Sequence, residues 1–320
     1  MSVPRFAVSM VSGAVLSLAT AVVSAQEYPI KPIRIVTSNI GGGNDFVTRV
    51  LAQGLSDSLH QQVVVDNRPA GAIPGQVAAR STADGYTLMV GTSSVWTGPL
   101  LQKDIYSPLS DFSPISVISR VPNILVVHPS IPVKSAKELI ALAKAKPGEL
   151  LYASGPNGGG SHLAVELFKS MAGVNIQRVA YKGGSASIPD MLAGRVQVTI
   201  DDVPTLMPNV KSGKLTALGI ATLQPSRLYP DLVTLTSTGL PGYESVAMQG
   251  LFAPVKTPTA LIKRVHQAVV RYLGTPEANG KLSALGYETV GSSPEEFTAV
   301  LKVETERMGK LIADIGLRVD

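Results

Sequence analysis

The sequence predicts an α/β protein of two lobes. Two stretches repeat one order, strand, glycine loop, helix, strand, helix, strand, which is the pattern of a parallel sheet with helices on its faces. Two apolar, strand-like runs sit where the chain must pass between the repeats. The 320 residues leave room for two domains of ordinary size.

The first copy opens with PIRIVT, Pro32 to Thr37, an alternating β-branched strand candidate. SNIGGGND follows, and then Val47, Leu51, Leu55 and Leu59 recur at four-residue spacing, one face of a helix. QVVVDN is the next strand, Pro74 starts a helix, Ala83-Asp84-Gly85 turns the chain, and YTLMVG is the third strand. In the second copy LLYAS is a strand and GPNGGGSH a loop. Leu163, Leu167 and Met171 then form an apolar stripe, with His162, Glu166 and Lys169 on the opposite, polar side. RVAYKG, a helix around Pro189 and RVQVTIDD complete the copy. Gly41 to Gly43 matches Gly158 to Gly160, and Ile73-Pro74 matches Ile188-Pro189.

FSPISVISRVPNILVVHPSIP reads as two apolar runs broken at Val121-Pro122, the first crossing between lobes. Ser135 to Glu138 has the form of a capping box, and Pro147-Gly148 stops the helix it starts. Gln249 to Pro254 is the second crossing. Helix starts at Thr257-Pro258, Thr275-Pro276 and Ser293 to Glu296 then lead back to cover the first lobe. The expected division is a leader at 1–25, the first lobe at 26–122, the second lobe at 123–247 and the return at 248–320.

The leader carries Arg5, an apolar run from Phe6 to Val23 and the small residues Val23-Ser24-Ala25, which has the form of a secretory signal cleaved after Ala25. A membrane anchor fits less well, because the run is barely long enough and lacks a basic flank. The chain has no cysteine, which removes disulfides, thiolate catalysis and zinc–thiolate sites. The net charge of +5 is compatible with an anionic ligand, but a bland basic surface is the preferred reading, because global charge does not locate a site. No Lys/Arg run with interleaved aromatics is present, so nucleic acid is not expected as a partner.

A loop without Cβ atoms lets backbone N–H groups converge, and the helix after it adds unpaired N–H groups and a partial positive charge. Together they make an anion site. Nucleotide readings fail: after Gly155 to Gly160 come Ser161 and His162 where a phosphate loop needs Lys and Ser/Thr, and neither loop has the G-x-G-x-x-G order. A carboxylate needs only a few N–H donors and a hydroxyl, which Thr37, Ser38, Ser154 and Ser161 can supply. Lys182 stands as a counter-charge near the second loop or as a solvated turn lysine. Asp201 and Asp202 end a strand and are assigned a supporting role, since a carboxylate there repels an anion. Asp45 and Arg49 suit each other as well as they suit a ligand. Trp96 walls a pocket or packs in a core, the latter being the default. His162 is expected to be exposed in a first helical turn, or to donate to an anion.

Catalytic readings are weak. Gly183-Gly-Ser185-Ala-Ser187 lacks the last glycine of a nucleophile elbow. His60, His128, His162 and His266 are scattered without metal-ligand spacing. The expectation is a binder without chemistry, with no catalytic residue, metal or cofactor.

YPIKPIRIV, VVVDNRPAGA, ADGYTLMVG, DFSPIS, AKAKPGELLYASG, SHLAVELF, VAYKGG, GRVQVTIDD and GKLTALGIAT, in this order from Tyr28 onward, resemble the Bug family, the periplasmic solute-binding receptors of the tripartite tricarboxylate transporter (TTT) system. The resemblance implies a type II periplasmic-binding-protein (Venus-flytrap) fold: two lobes, each with a mainly parallel sheet flanked by helices, and two crossover strands as hinge. It implies capture of a small organic carboxylate in the cleft and delivery, from the periplasm, to a permease with a small and a large membrane subunit; a monomer is expected. It places the ligand carboxylate against Thr37 to Asp45 and Ser154 to His162, and brings in Tyr181, Lys182, Gly183 and Asp201. The implied ligand residues are therefore Thr37, Ser38, Asn39, Gly42, Gly43, Asp45, Thr92, Ser154, Gly158, Gly159, Gly160, Ser161, His162, Tyr181, Lys182 and Asp201. Two departures bear on ligand identity: TSNIGGGND replaces the family's proline-rich first loop and adds Ser38 and Asn39, and TSSVWTGPLLQKD, opening at Thr92, lacks its usual Asn-Pro. A ligand-presenting partner of a membrane sensor kinase fits the same site, and a secreted hydrolase built on Ser185 is the remaining alternative.

Overall fold

A computed structural model describes residues 28–69, 71–102, 105–182 and 184–317. The leader at 1–25 and the candidate Gly183 lie outside the described residues. In chain order the first lobe contains β1 (Ile33–Thr37), α1 (Gly43–Leu59), β2 (Val63–Asn67), α2 (Ile73–Ala79), β3 (Thr87–Thr92) and α3 (Ser94–Leu101). A long strand, β4 (Phe112–Val127), leads to the second lobe, where α4 (Ala136–Ala145), β5 (Leu151–Ser154), α5 (Gly160–Ala172) and β6 (Gln177–Ala180) come first. They are followed by α6 (Gly184–Leu192), β7 (Val198–Asp202), α7 (Val203–Lys211), β8 (Thr216–Ile220) and α8 (Leu235–Thr238). The chain returns along β9 (Val246–Pro254) to α9 (Thr259–Leu273), α10 (Pro276–Ala284), β10 (Glu288–Thr289) and α11 (Pro294–Asp314).

One sheet runs through both lobes in the order β2-β1-β3-β9-β4-β7-β5-β6, with β8 and β10 also paired to β4. In the first lobe β2, β1 and β3 are parallel, and β9 lies antiparallel to β3 and β4. In the second lobe β6, β5 and β7 are parallel, and β4 is antiparallel to β7 and β8.

The patterns behind these elements are local. Val47, Leu51, Leu55 and Leu59 of α1 are all buried, as their spacing requires. In α4 the Ser135 hydroxyl accepts from Glu138 N at 3.2 Å, but the Glu138 carboxylate reaches Lys134 N instead of closing the box on Ser135. Ser293 and Glu296 close theirs fully at the start of α11.

Two expectations are corrected. Pro122 does not break the first crossing; β4 is continuous through it. On its first-lobe side β4 pairs with β10 as far as Arg120, and from Asn123 onward it pairs with β7 and β8. Pro122 sits where those neighbours exchange, so its missing N–H interrupts no ladder on that side. In α5, His162 is 3% exposed and Met171 is 41% exposed, so the buried face is rotated toward the loop. Leu163, Ala164, Leu167 and Phe168 form that face.

The crossings are tied to each other. Asn123 N donates to Ser245 O at 3.1 Å, its Nδ2 donates to Ser245 Oγ at 2.8 Å, and Ala221 N donates to Asn123 O at 2.8 Å. A third link is α11. Phe297 and Leu301 pack with Trp96 and Phe252 of the first lobe, whereas Met308, Leu311 and Ile312 join the second lobe's core. The Phe297 ring lies 4.8 Å from Phe252 and 6.3 Å from Trp96, centroid to centroid. Phe297→Ala should therefore cost about 3–5 kcal/mol of stability, by lost transfer energy plus an unfilled cavity. A urea titration reads this as a lowered midpoint, and an unmoved midpoint contradicts the anchoring of α11 at that ring.

Candidate functional site

A cavity of ≈250 Å³ lies between the lobes. The first lobe lines it with Thr92, Ser93, Ser94 and Trp96, at the C-terminal end of β3. The second lobe faces them with Gly158, Gly160, Leu163 and Leu167, from the second glycine loop and α5. Asn123 and Ser245 at the crossings form its back, and Arg307 and Met308 of α11 close another side.

The second loop is a self-bonded structure. Gly155 N donates to Ser161 Oγ at 3.0 Å, Gly158 N to His162 Nδ1 at 3.0 Å, and Gly159 N to Pro156 O at 3.0 Å. Arg178 of β6 clamps it from outside, giving Nε to Ser154 Oγ at 2.8 Å, Nη1 to Asn157 Oδ1 at 3.0 Å and Nη2 to Gly155 O at 2.8 Å. Three of the loop's own N–H groups are thus engaged, contrary to the idea that the glycines themselves point donors at a ligand. The donors left over belong to α5. Its first intrahelical bond runs from Leu163 N to Gly159 O, so the N–H groups of Gly160, Ser161 and His162 precede it. The N-cap is Gly159, which supplies no side-chain cap. Gly158 has φ +71° and lies against Leu101 of the other lobe, where any Cβ would overlap the leucine.

The first loop is built alike but sits apart. Gly41 N donates to Asp45 Oδ2 at 2.9 Å, Asn67 Nδ2 to Asp45 Oδ1 at 2.9 Å, and Arg49 Nε lies 2.9 Å from Asp45 Oδ1. Burial opposes the Asp45 charge, yet the hydrogen bonds from Arg49, Gly41 and Asn67 outweigh it and hold the carboxyl below its usual range. Thr37 is fully buried, its hydroxyl accepting from Asn44 Nδ2 at 2.9 Å and Thr48 Oγ1 at 3.1 Å. Ser38 is half-buried and accepts through its carbonyl from Asn67. Asn39, Gly42 and Gly43 are exposed, and the Tyr287 hydroxyl lies over Gly43, where a Cβ would overlap it. None of the described residues of this loop lines the cavity.

Around the second loop the remaining candidates divide. Ser154 is buried and Ser161 nearly so, the latter hydrogen-bonded to Asp201. Burial, with the neighbouring Asp202 charge, pushes the Asp201 carboxyl up to about 7, against bonds from Asp202 N–H and Ser161. Tyr181 donates to Asp190 Oδ2 at 2.8 Å and Lys182 is exposed; neither lines the cavity. Trp96 is both things at once, fully buried in the aromatic cluster and part of the cavity wall. Ser185 is exposed on α6. Among the described residues no group of three or more His, Cys, Asp or Glu is placed to hold a metal. Sequence reasoning missed Arg178, Arg307 and Tyr287. Each comes from an element remote in the chain, and only the alternation in RVAYKG hinted that Arg178 shares an edge with the loop.

His162 accepts rather than donates at the loop. Burial, and next the Arg178 charge, lower its pKa from 6.5 to about 4, while Glu166, with Oε1 4.0 Å from Nε2, pulls the other way. The folded state thus holds a neutral imidazole whose Nδ1 ties down Gly158. Between about 6.5 and 4 the unfolded chain binds the extra proton, so stability falls as pH drops through that window, by roughly 3 kcal/mol in all. Urea melts at several pH values, compared with His162→Gln, should show this component vanish in the variant. An identical pH slope in both proteins rules it out.

Residues 47–317 match the TctC family, described as "Tripartite tricarboxylate transporter family receptor". BugT of Bordetella pertussis is 33% identical over 303 residues, covering 93% of each chain. A solved structure described as R. palustris Rpa4515 with adipate is 35% identical, superposes with a TM-score of 0.77, and covers 91% of this chain and 99% of its own. The periplasmic binding protein BugD, 28% identical, has a TM-score of 0.74 over 91% of this chain and 99% of its own. Among the described residues no helix is long and apolar enough to cross a membrane. Matched over most of its length and in both lobes, the chain belongs to the Bug-type receptor family of tripartite tricarboxylate transporters.

Proposed function

We propose that the protein is exported by its N-terminal segment, captures a small organic carboxylate between its lobes and, as a periplasmic monomer, hands it to the membrane subunits of a tripartite permease. The observation that carries this reading is the inter-lobe cavity, with the uncapped start of α5 on one side and the hydroxyl-bearing turn Thr92 to Ser94 on the other. The first-turn N–H groups of α5 and its dipole suit one carboxylate group. Thr92 and Ser94 share a hydrogen bond of 2.7 Å, so their hydroxyls are held as a pair facing the same space. Adipate with Rpa4515 supports a carboxylate as the ligand class. The clamp by Arg178 and His162 keeps the loop in one shape, which lowers the ordering cost of binding.

Gly160 gives a clean test. A Cβ built there meets nothing within 4 Å, so valine adds bulk to the cavity without straining the fold. A ligand at ~100 times its Kd should stabilise the wild type by roughly 2.7 kcal/mol. With a panel of mono-, di- and tricarboxylates, Gly160→Val should lose that gain and its calorimetric binding heat, while the unliganded variant melts near the wild-type temperature. If the ligand-induced gain persists, the start of α5 is not where the acid group sits.

A further inference from the structure

The lobes also meet away from the cavity. The turn at 286–288, between α10 and β10, belongs to the first lobe: Tyr287 packs against that lobe's core, and Glu288 is paired with Arg120 of β4. The loop after β8 belongs to the second, where Tyr229 and Leu232 pack on the core around Ile124 and Leu206. Two hydrogen bonds run between them. Ser226 Oγ donates to Glu288 Oε1 at 2.6 Å, and the Tyr229 hydroxyl donates to Gly286 O at 3.3 Å. Arg120 Nε holds the other Glu288 oxygen at 2.8 Å from the first-lobe side, and Ser226 is 6% exposed. The shorter bond is thus charge-assisted and shielded from water. Packing between the two segments is tight. Gly286 has φ +81°, and a Cβ there would overlap both the Tyr229 hydroxyl and the Pro204 ring.

Position in the fold says what these contacts do. Asp202 and Pro204 stand where β7 ends and α7 begins, and Gly43 stands where α1 begins after β1. Both places are C-terminal edges of parallel strands, the edges at which such sheets meet a ligand. Tyr287 is close to both. Its hydroxyl lies over Gly43, and burial, followed by the neighbouring Asp202 and Tyr229, pushes its pKa up to about 12. The turn at 286–288 therefore joins the ligand-facing edge of one lobe to that of the other. The strands that carry the chain between lobes are β4 and β9, so these contacts are non-covalent and part when the two edges separate. None of Ser226, Tyr229, Gly286 and Glu288 lines the cavity.

We propose that the turn at 286–288 is a latch, which through Ser226 and Tyr229 holds the lobes together before a ligand arrives and favours closure without touching the ligand. A latch of this kind sets the fraction of molecules that is closed, and apparent affinity scales with that fraction. It helps every ligand by the same factor, whereas contacts inside the cavity discriminate between ligands.

The chain has no cysteine, so one introduced pair can carry spin labels. Asp57→Cys on α1 and Lys144→Cys on α4 place a label at an exposed site of each lobe. Pulsed electron paramagnetic resonance then reads the lobe-to-lobe distance, with and without Ser226→Ala and Tyr229→Phe together, each of which removes one hydroxyl. Without ligand, the double variant should raise the ratio of separated to closed molecules by about 10-fold, the worth of a hydrogen bond to a charged carboxylate. In calorimetry with adipate, malate and citrate, every carboxylate that binds should weaken by one common factor. An unchanged distance distribution, or losses that differ between carboxylates, overturns the latch while the receptor reading stands. If no carboxylate binds the wild type, the receptor reading falls, and the distance measurement alone decides the latch.

Discussion

Strand β4 belongs to both lobes, and its hydrogen bonds set what the rest of the molecule can do. Residues up to Pro122 pair with β9, and residues from Asn123 pair with β7 and β8. The change of neighbours falls within a few residues, beside the Ser245 crossing and the Ala221 carbonyl, which accepts from Ser245 N at 2.9 Å. The lobes are thereby joined at a short, hydrogen-bonded waist rather than by free linkers. Glu288 adds a contact across the lobes, its carboxylate accepting from Ser226 Oγ at 2.6 Å on one lobe and from Arg120 Nε at 2.8 Å on the other. The cavity inherits its shape from this waist, since Asn123 and Ser245 are part of its lining.

Within that frame the second glycine loop works as a rigid mount for a helix start. Glycine at 158 permits the positive φ and the approach of Leu101, while Arg178, Ser161 and His162 bind the loop's carbonyls, amides and hydroxyls. A mobile glycine loop has to be ordered when a ligand arrives, and that entropy weakens binding. Here the order exists beforehand. The buried assembly under the loop, with Tyr152 and Lys169 both donating to Glu166 Oε1, continues the same rigidity into α5.

The sequence made the architecture legible because strands, helices and caps are local signals. Val47 to Leu59 and Ser293 to Glu296 announced their elements, and the paired glycine loops announced two lobes of similar layout. Long-range pairing was not legible. Nothing local says that β4 passes through Pro122 intact, because a proline's cost depends on whether a neighbouring strand needs its N–H. His162 looked like an exposed first-turn residue, and only the loop folding back on it makes it a buried acceptor. The two glycine runs looked equivalent. The inter-lobe cavity is lined by the second and not by the described residues of the first, where Tyr287, from the turn after α10, lies over Gly43. Arg307, in a helix that begins in one lobe and ends against the other, carried no motif at all.

The division of the cavity wall between lobes has a consequence for how a bound molecule acts. Thr92 to Ser94 and Trp96 belong to the first lobe, α5 belongs to the second, and Arg307 lies on a helix packed into both cores. A ligand shifts the balance between open and closed forms only by the contacts it makes in one form and not in the other. An acid group between the start of α5 and the Thr92–Ser94 hydroxyls faces both lobes. Contacts of that kind, made to residues of both lobes at once, are the ones that can favour a closed form. Trp96 serves the first lobe's core and the cavity wall together, so packing in that core and the shape of the cavity are not independent.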